Sequence, residues 1–349
     1  MQPKISVITP LYNRKTLVED TIKSILRQSY ENWEHIFVDD GSTDGSQNVI
    51  QSYSQKDNRI KLFYRDRELK GAPTCRNIGI EKSTGKYIIF LDSDDILASF
   101  CLQQRVEVIQ KYSLFDFWVF PGLVFKEAPG DTSLLINYFD EEEDDIMRFI
   151  DQNTPWLIFN PIWRKTSLVE KNLRWNEDLP AFQDYDFHLN ALLKNFTYKK
   201  LNVQPDCFWR RHSGESISRG KNALDRILGL EQSCYHLIDN LQKKGSFKQV
   251  YQRSLASSYF NISSTLLTLG EREQADRVWQ KALDLSLVNQ QRYSEGKYYS
   301  KLQSLPWVKG NVFLEKVIKK LFYLYWGKQF FNKNYGGFVR THFSGEIKL

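Results

Sequence analysis

The residues best placed to do chemistry are three carboxylates within four positions, Asp92, Asp94 and Asp95, separated only by Ser93. They close an unbroken apolar run over residues 87–91 that Gly85 opens. A β-branched and aromatic run of that length fits a strand buried on both faces, as in a parallel sheet. Acids just past such a strand lie at its carboxyl end, where open α/β sheets bind their ligands. If the strand stays extended through Ser93, Asp92 and Asp94 point the same way. Two such carboxylates repel unless a cation lies between them. The pair therefore reads as a site for a divalent, oxygen-preferring metal and a phosphate-bearing ligand. The competing reading is a polar turn in which Asp95 caps a helix starting near Ile96.

A second acidic cluster, Asp39-Asp40-Gly41-Ser42-Thr43-Asp44-Gly45-Ser46, follows a strand expected over residues 33–38. Asp40 there can accept hydrogen bonds from the N–H or O–H groups of a base or a ribose, whereas Asp44 or Ser46 suits a helix N-cap. The elements that must position these acids are readable in order. A strand over residues 5–9 is broken by Pro10. Thr16 with Glu19 forms a capping box for a helix to about Gln28, with Val18, Ile22, Ile25 and Leu26 on one face. A helix after Ser46, through Val49 and Ile50 to about Gln55, a strand over 60–64 and a loop entering a helix over 71–80 complete the run. Alternation of this kind over the first ~110 residues predicts a parallel, doubly wound sheet.

The chain has 349 residues, long for one domain, and its 41% hydrophobic content supports a substantial core. Net charge is +6 with an isoelectric point near 8.9. That balance favours phosphates or anionic surfaces without pointing to nucleic acid. Cys75, Cys101, Cys207 and Cys234 form no C-x-x-C pair, which argues against zinc and a disulfide framework and fits a reducing compartment. No signal-peptide pattern opens the sequence, and no apolar run nears the ~20 residues that span a bilayer. The expected location is cytoplasmic, with peripheral attachment to the inner face of the cytoplasmic membrane left open.

Four motifs recur in a familiar order: Ser6-Val-Ile-Thr-Pro-Leu-Tyr-Asn13, Val38-Asp-Asp-Gly-Ser-Thr-Asp-Gly45, Gly71-Ala-Pro-Thr-Cys-Arg-Asn-Ile-Gly79 and Leu91-Asp-Ser-Asp-Asp95. With them, residues 3 to about 218 resemble glycosyltransferase family 2, inverting enzymes that use nucleotide sugars on a GT-A fold. The resemblance implies that Pro10, Tyr12 and Asn13 lie against the base and that Asp40 binds it. Asp92 would face the ribose, with Ser93 beside it among the donor-binding residues. Asp94 would ligate Mn²⁺ or Mg²⁺ bridging the diphosphate. Arg76 would face phosphate or sugar, or be structural. The family's general base maps to Asp184, within Leu173-Arg-Trp-Asn-Glu-Asp-Leu-Pro-Ala-Phe-Gln-Asp-Tyr-Asp-Phe-His-Leu189. Here Gln183 stands where the family carries glutamate, and Asp186 is the competing acid, on a different face once a helix has begun.

Further on, residues 115–120 read as a strand. The acidic run 140–145 reads as the cap of a helix over 146–150 rather than a second metal site. Residues 209–218 resemble the segment closing many of these catalytic domains, where Arg210, Arg211 and His212 would reach the diphosphate or form a lid. His212 is a metal or phosphate candidate against a structural alternative. From Asn222 the pattern is helical, with residues 254–287 resembling one tetratricopeptide-like hairpin. Residues 313–343 interleave Lys316, Lys319, Lys320, Lys328, Lys333 and Arg340 with Phe322, Tyr323, Tyr325, Trp326, Phe330 and Phe331. That mixture suits an anionic membrane surface or, alternatively, a helix packed on the catalytic domain.

The expected fold is α/β of GT-A type: a mostly parallel, Rossmann-like sheet with helices on both faces, followed by a helical C-terminal region. Residues 1–110 would bind the nucleotide sugar, 111–220 the acceptor, and 221–349 a membrane or partner. The expected activity is transfer, with inversion, from a nucleoside-diphosphate sugar, uridine-based, to a saccharide or lipid-linked saccharide. Two rivals are a sugar nucleotidyltransferase, which needs a glycine-rich basic loop that residues 9–15 lack, and a catalytically silent scaffold, against which the acids at Asp40, Asp92, Asp94 and Asp184 argue.

Overall fold

A computed structural model of the chain describes residues 2–136, 144–179, 181–211, 223–308, 310–330 and 341–349. Strands β1 (Ile5–Leu11), β2 (Trp33–Asp39), β3 (Ile60–Tyr64) and β4 (Tyr87–Phe90) alternate with helices α1 (Val18–Leu26), α2 (Ser46–Ser54) and α3 (Ala72–Lys82). All four strands run parallel, with β1 between β4 and β2 and with β3 outside. β1, β2 and β4 are buried almost throughout because both their faces are covered, whereas the edge strand β3 buries only Ile60. Ile36 and Val38 meet Cys75 and Ile78 of α3, while Phe37 shares a core with Val18, Ile22 and Ile25 of α1. Gly79 is required where α3 lies on β1, since a Cβ there would run into Ile8.

Pro10 does not break β1, which continues to Leu11 and pairs Pro10 with Val38. The carbonyl of Ile8 accepts from Leu91, so by the alternation of the strand the missing N–H of Pro10 faces the side where β4 has already ended. The capping box also fails to form: α1 starts at Val18, after a cap residue, Leu17, that makes no side-chain bond. The carbonyl of Arg14 already takes the N–H groups of Leu17 and Val18, and Glu19 turns to Lys23 and Tyr53 instead.

Beyond β4 the sheet continues through β9 (Pro161–Arg164), β6 (Phe117–Val119) and β10 (Tyr198–Lys200), with β9 antiparallel to both neighbours. A second sheet, absent from the sequence reading, has the order β12 (Thr341–His342), β8 (Leu134–Ile136), β7 (Gly122–Phe125), β11 (Cys207–Arg210) and β5 (Ile96–Leu97). Strands of two to four residues are too short for a period-two pattern to register. β5 also removes the expected helix at Ile96: α4 (Cys101–Lys111) starts five residues later, so Asp95 caps nothing.

Two short helices, α5 (Asp145–Ile150) and α6 (Lys165–Glu170), and the longer α7 (Gln183–Leu193) complete the α/β body. Asp144 caps α5 by accepting from the N–H groups of Ile146 and Met147. Helices α8 (Ala223–Lys243), α9 (Gln249–Thr268), α10 (Arg272–Asp284), α11 (Gln290–Gln303) and α12 (Val312–Phe330) follow. α9 and α10 form the hairpin expected in that region, turned at Gly270 with φ +87°. Phe322 of α12, counted above among surface aromatics, is instead a core residue 5.4 Å from the ring of Phe260, stacked at 7°. The chain end then returns: β12 pairs antiparallel with β8, and Phe343 and Ile347 pack on the second sheet.

One buried ion pair ties these parts together. Arg105 of α4 and Asp206, before β11, both have fully buried side chains and meet through two bonds of 2.9 and 2.7 Å. Arg105 also donates to the Phe159 carbonyl, and the Asp206 carbonyl accepts from Ala98. Removing one partner strands a buried charge, typically at about 3–5 kcal/mol. Arg105→Met should therefore lower unfolding free energy in urea by about that much, and adding Asp206→Leu should recover most of it. A single-variant loss of only ~1 kcal/mol, the scale of a surface pair, would contradict this account.

Candidate active site

The chain leaves the sheet after Phe90 rather than staying extended, and the Asp95 N–H closes a turn onto the Asp92 carbonyl at 3.1 Å. The three carboxylates therefore diverge, and each meets an arginine from a different element. Asp92 accepts from Arg76 of α3 at 2.7 Å. Asp94 lies 3.7 Å from the Nε of Arg14, in the loop between β1 and α1. Asp95 is buried and accepts the N–H of Arg210, at the end of β11, at 2.9 Å. Arg210 also donates to the Asp94 carbonyl (2.9 Å) and to Asp20 (2.8 Å), so it is committed to holding the turn. Burial first, then the charges of Asp94 and Asp92, pushes the Asp95 carboxyl well above the usual carboxylate range. Asp95 is thus a structural acid, while Asp92 and Asp94 keep partly exposed side chains.

Among the described residues no three His, Cys, Asp or Glu side chains converge on a metal position. A hard divalent cation riding on a ligand's phosphates needs only one or two protein carboxylates. Asp94, drawn to the nearest guanidinium and still accessible, fits that requirement; Asp92 stands beside it. His212 lies outside the described residues. Arg211 donates its N–H to the Phe125 carbonyl at 2.7 Å and leaves its side chain exposed.

The second acidic cluster folds beside the first. Asp39 is consumed by its own loop, accepting from Gly41 (3.0 Å), Ser42 and Gln47 (3.2 Å). Asp40 instead accepts from Arg65 at 2.7 Å and from the N–H of Gly71 at 2.9 Å. Asp44 accepts from the N–H groups of Ser46 and Lys15, both at 2.9 Å, at the start of α2. Asn13 adopts φ +50° and takes the Thr43 N–H at 2.8 Å, which joins the β1 loop to this cluster. Tyr12 beside it is 56% exposed, Pro10 is half-buried and Ser93 is buried. A flat, accessible aromatic next to an anchored carboxylate is an arrangement that can stack and hydrogen-bond a planar base.

Asp184 arrives from the other half, on the first turn of α7. Phe182 before it holds φ +58°, unusual for a bulky residue and a mark of imposed backbone strain. Gln183, where the resembled family carries an acid, donates to the Leu179 carbonyl at 3.2 Å. The Asp184 carboxylate lies 3.7 Å from Arg76, the arginine that already holds Asp92. It is 40% exposed at its side chain yet densely surrounded by protein. That desolvation pushes its pKa up to about 6, with Arg76 pulling down and Asp92 pushing up. Asp186 points elsewhere: it is buried, accepts from Asn190 at 3.0 Å, and feels His236 of α8.

Several residues that hold this geometry were not singled out from the sequence. Asn77, next to Arg76, exchanges hydrogen bonds with the backbone of Trp175 (2.9 and 3.0 Å) and donates to Glu177 at 2.7 Å. Glu177 also accepts from Arg67 at 3.0 Å, pinning the segment before α7 onto α3. The signal was present, since Asn77 and Glu177 both sit inside quoted motifs, but nothing in one sequence says that two motifs 100 positions apart pair.

The family model for Glycosyl transferase family 2 matches residues 6–165. TuaG of Bacillus subtilis (strain 168), a glycosyltransferase named for teichuronic acid biosynthesis, is 43% identical over 210 residues, covering 58% of this chain and 77% of that protein. A GalNAc(5)-diNAcBac-PP-undecaprenol beta-1,3-glucosyltransferase of Campylobacter jejuni is 40% identical over 105 residues, covering 30% of this chain and 34% of that protein. In three dimensions, TarS 1–349 of S. aureus, in complex with UDP-GlcNAc, superposes with a TM-score of 0.66 at 18% identity over 91% of this chain and 92% of that one. That likeness establishes the GT-A fold with its C-terminal helical region.

The raised pKa of Asp184 makes a stability prediction. Between the unfolded value near 4 and the folded value near 6 the native state binds more protons, so stability falls as pH rises through that window. Each pH unit is worth about 1.4 kcal/mol, and the exposure of the group screens much of it. Asp184→Asn should thus stabilise the protein at pH 8 by on the order of 1 kcal/mol and give no such gain below pH 4. Chemical denaturation at both pH values decides it; an equal effect at each would show that the carboxyl carries no desolvation cost.

Proposed function

Because the chain belongs to glycosyltransferase family 2, we propose that it moves a sugar from a nucleoside-diphosphate sugar, uridine-based, to a hydroxyl of a saccharide or lipid-linked saccharide, with inversion. The observation that carries this reading is the meeting of Asp92 and Asp184, from different halves of the fold, on one buried arginine. In this reading residues 1–110 bind the donor through Pro10, Tyr12, Asn13, Asp40, Asp92 and Ser93. Residues 111–220 bind the acceptor, and 221–349 form a helical appendage. Asp184 takes the proton of the acceptor hydroxyl as the oxygen attacks the anomeric carbon from the face opposite the diphosphate. A pKa near 6 suits that role, since the group is ionised at neutral pH yet still basic. Asp94 would hold Mn²⁺ or Mg²⁺, which would stabilise negative charge on the leaving diphosphate.

The names of the relatives motivate the pathway: teichuronic acid for TuaG, an undecaprenol-linked acceptor for the Campylobacter protein, and a UDP-sugar in the TarS complex. Synthesis of a cell-surface polysaccharide is the role we assign. A lipid-linked acceptor would bring the enzyme to the inner face of the cytoplasmic membrane, and no helix among the described residues is long and apolar enough to cross it. The outer face of α12 supports docking within residues 313–343. Opposite the buried Phe322, helical spacing places Phe313 (72% exposed), Leu321 (60%) and Leu324 (70%) together, flanked by exposed Lys316 and Lys320. Apolar residues flanked by lysines suit an anionic interface.

Calorimetry with UDP tests the donor site. Binding should require Mn²⁺ or Mg²⁺ and disappear in Asp94→Asn. A panel of UDP-sugars, read by melting temperature, selects the donor. With that donor, Asp184→Asn should bind normally but turn over ~10²–10⁴ times more slowly. UDP binding undiminished by chelator, or an active Asp184→Asn beside an inactive Asp186→Asn, would reverse these assignments.

Docking is tested in the full chain, because truncating the tail also removes β12 from the second sheet. The wild type should co-sediment with anionic vesicles, less so at high salt, and Phe313→Glu with Leu324→Glu should abolish this. Failure of the wild type to sediment at low salt would end the membrane reading, and concentration-dependent dimers lost in the same variant would assign the face to a second copy.

A further inference from the structure

Arg76 enters the site from α3 with a side chain only 4% exposed, against 37% for Asp92 and 40% for Asp184. Its Nη2 donates to Asp92 at 2.7 Å, and its Nη1 lies 3.7 Å from Asp184. The guanidinium carbon stands 4.5 Å from the ring centroid of Trp175. Trp175 is itself stacked on Phe187 of α7 at 4.0 Å and 4°. Nε and Nη1 are buried and make no hydrogen bond among the described residues.

A guanidinium stays charged under all ordinary conditions, so burying one is costly unless carboxylates surround it. Asp92 satisfies one edge. Asp184 stands just outside hydrogen-bond reach of the other, and a movement of less than about 1 Å would complete the bond. The planar fork sandwiched between Trp175 and two acids has little freedom to do anything else. Asn77, the next residue, fixes the same helix to the Trp175 backbone, so α3 and the α7 approach are locked at this level.

Other charges near Asp184 are accounted for. Asp92 faces it from the turn after β4, and on α7 itself Gln183 is neutral while Asp186 is turned to His236 of α8. Glu177 is occupied by Asn77 and Arg67. Arg76 is thus the cation that balances Asp184 among the described residues facing it.

Resting on the reading of Asp184 as the base, we infer that Arg76 is a positioning residue rather than a donor ligand: clamped by Asp92, it holds the Asp184 carboxylate ionised and aimed at the acceptor hydroxyl. Neither the composition of the donor nor that of the acceptor enters this role. The arginine acts through Asp184, and the donor-side acid holds the arginine while adding its own repulsion to Asp184.

Carbon-13 NMR of the aspartate carboxyls in the full chain reads this directly, with the Asp184 signal identified by its loss in Asp184→Asn. Removing an opposite charge at this distance should raise the Asp184 midpoint by about one to three pH units in Arg76→Gln. Asp92→Asn, at a partly exposed position, should lower the midpoint, because it removes a repulsion and frees the guanidinium. Should Arg76→Gln fail to fold, the direction of the Asp92→Asn shift decides. With the donor chosen by the UDP-sugar panel, the acid limb of kcat/KM should move with the midpoint, whereas a purely structural arginine would lower the rate equally at every pH. A folded Arg76→Gln with an unmoved Asp184 midpoint, or an unmoved midpoint in Asp92→Asn, overturns the inference. If instead UDP fails to bind the wild type, it is the uridine-based donor that falls, and the titration still judges Arg76.

Discussion

Three carboxylates within four residues repel one another, and much of this protein is arranged around satisfying them. Arg76 comes from α3, Arg14 from the β1 loop and Arg210 from β11, so the acidic turn is where three separate parts of the chain are obliged to meet. Because Arg210 reaches it from the second sheet, the turn also joins the two sheets, a few residues from the buried Arg105–Asp206 pair. Electrostatic balance at one turn is therefore a topological constraint, and the elements that carry the arginines cannot shift independently.

Environment, not residue type, divides the labour among the acids. Asp39 and Asp95 are buried and spent on backbone N–H groups, which makes them loop-formers. Asp40, Asp92 and Asp94 each lie against an arginine side chain, and Asp92 and Asp94 keep partly exposed side chains. Asp184 and Asp186 lie two positions apart on one helix and both are raised to about 6 by desolvation. Only the first also faces the acidic turn, and only it remains accessible. Holding a partly desolvated carboxylate next to a strained Phe182 costs stability, the usual bargain at a site that must be ready before its ligand arrives.

The helical region is more than an appendage in its contacts. Asp144, the cap of α5, also accepts from Lys248, just before α9, and from Tyr251 of α9, and α8 packs on α7, the helix of Asp184. The chain end closes the circuit by adding β12 to the second sheet. α12 consequently has two apolar faces, one set by Phe322 against Phe260 and Tyr299 and another carrying exposed Phe313, Leu321 and Leu324.

By itself the sequence determined the parallel half of the fold and the identity of its acids. Strand 87–90 announces itself by an unbroken apolar run, strands 33–39 and 60–64 by β-branched and aromatic residues, and the acids at the carboxyl ends of the first and last of these follow from sheet geometry. Local signals misled where tertiary contacts outbid them. Thr16 and Glu19 spell a capping box, but the Arg14 carbonyl had already taken the N–H groups at stake. Asp95 looks like a helix cap, but two residues of β5 intervene and burial turns it to Arg210. The second sheet was invisible because its strands are too short for any period to emerge. Above all, the pairing of Arg76 with both Asp92 and Asp184 was decided only in three dimensions. The two acids are 92 positions apart, and nothing local to either one encodes a shared guanidinium; it exists because Asn77 and Trp175 lock α3 to the approach of α7.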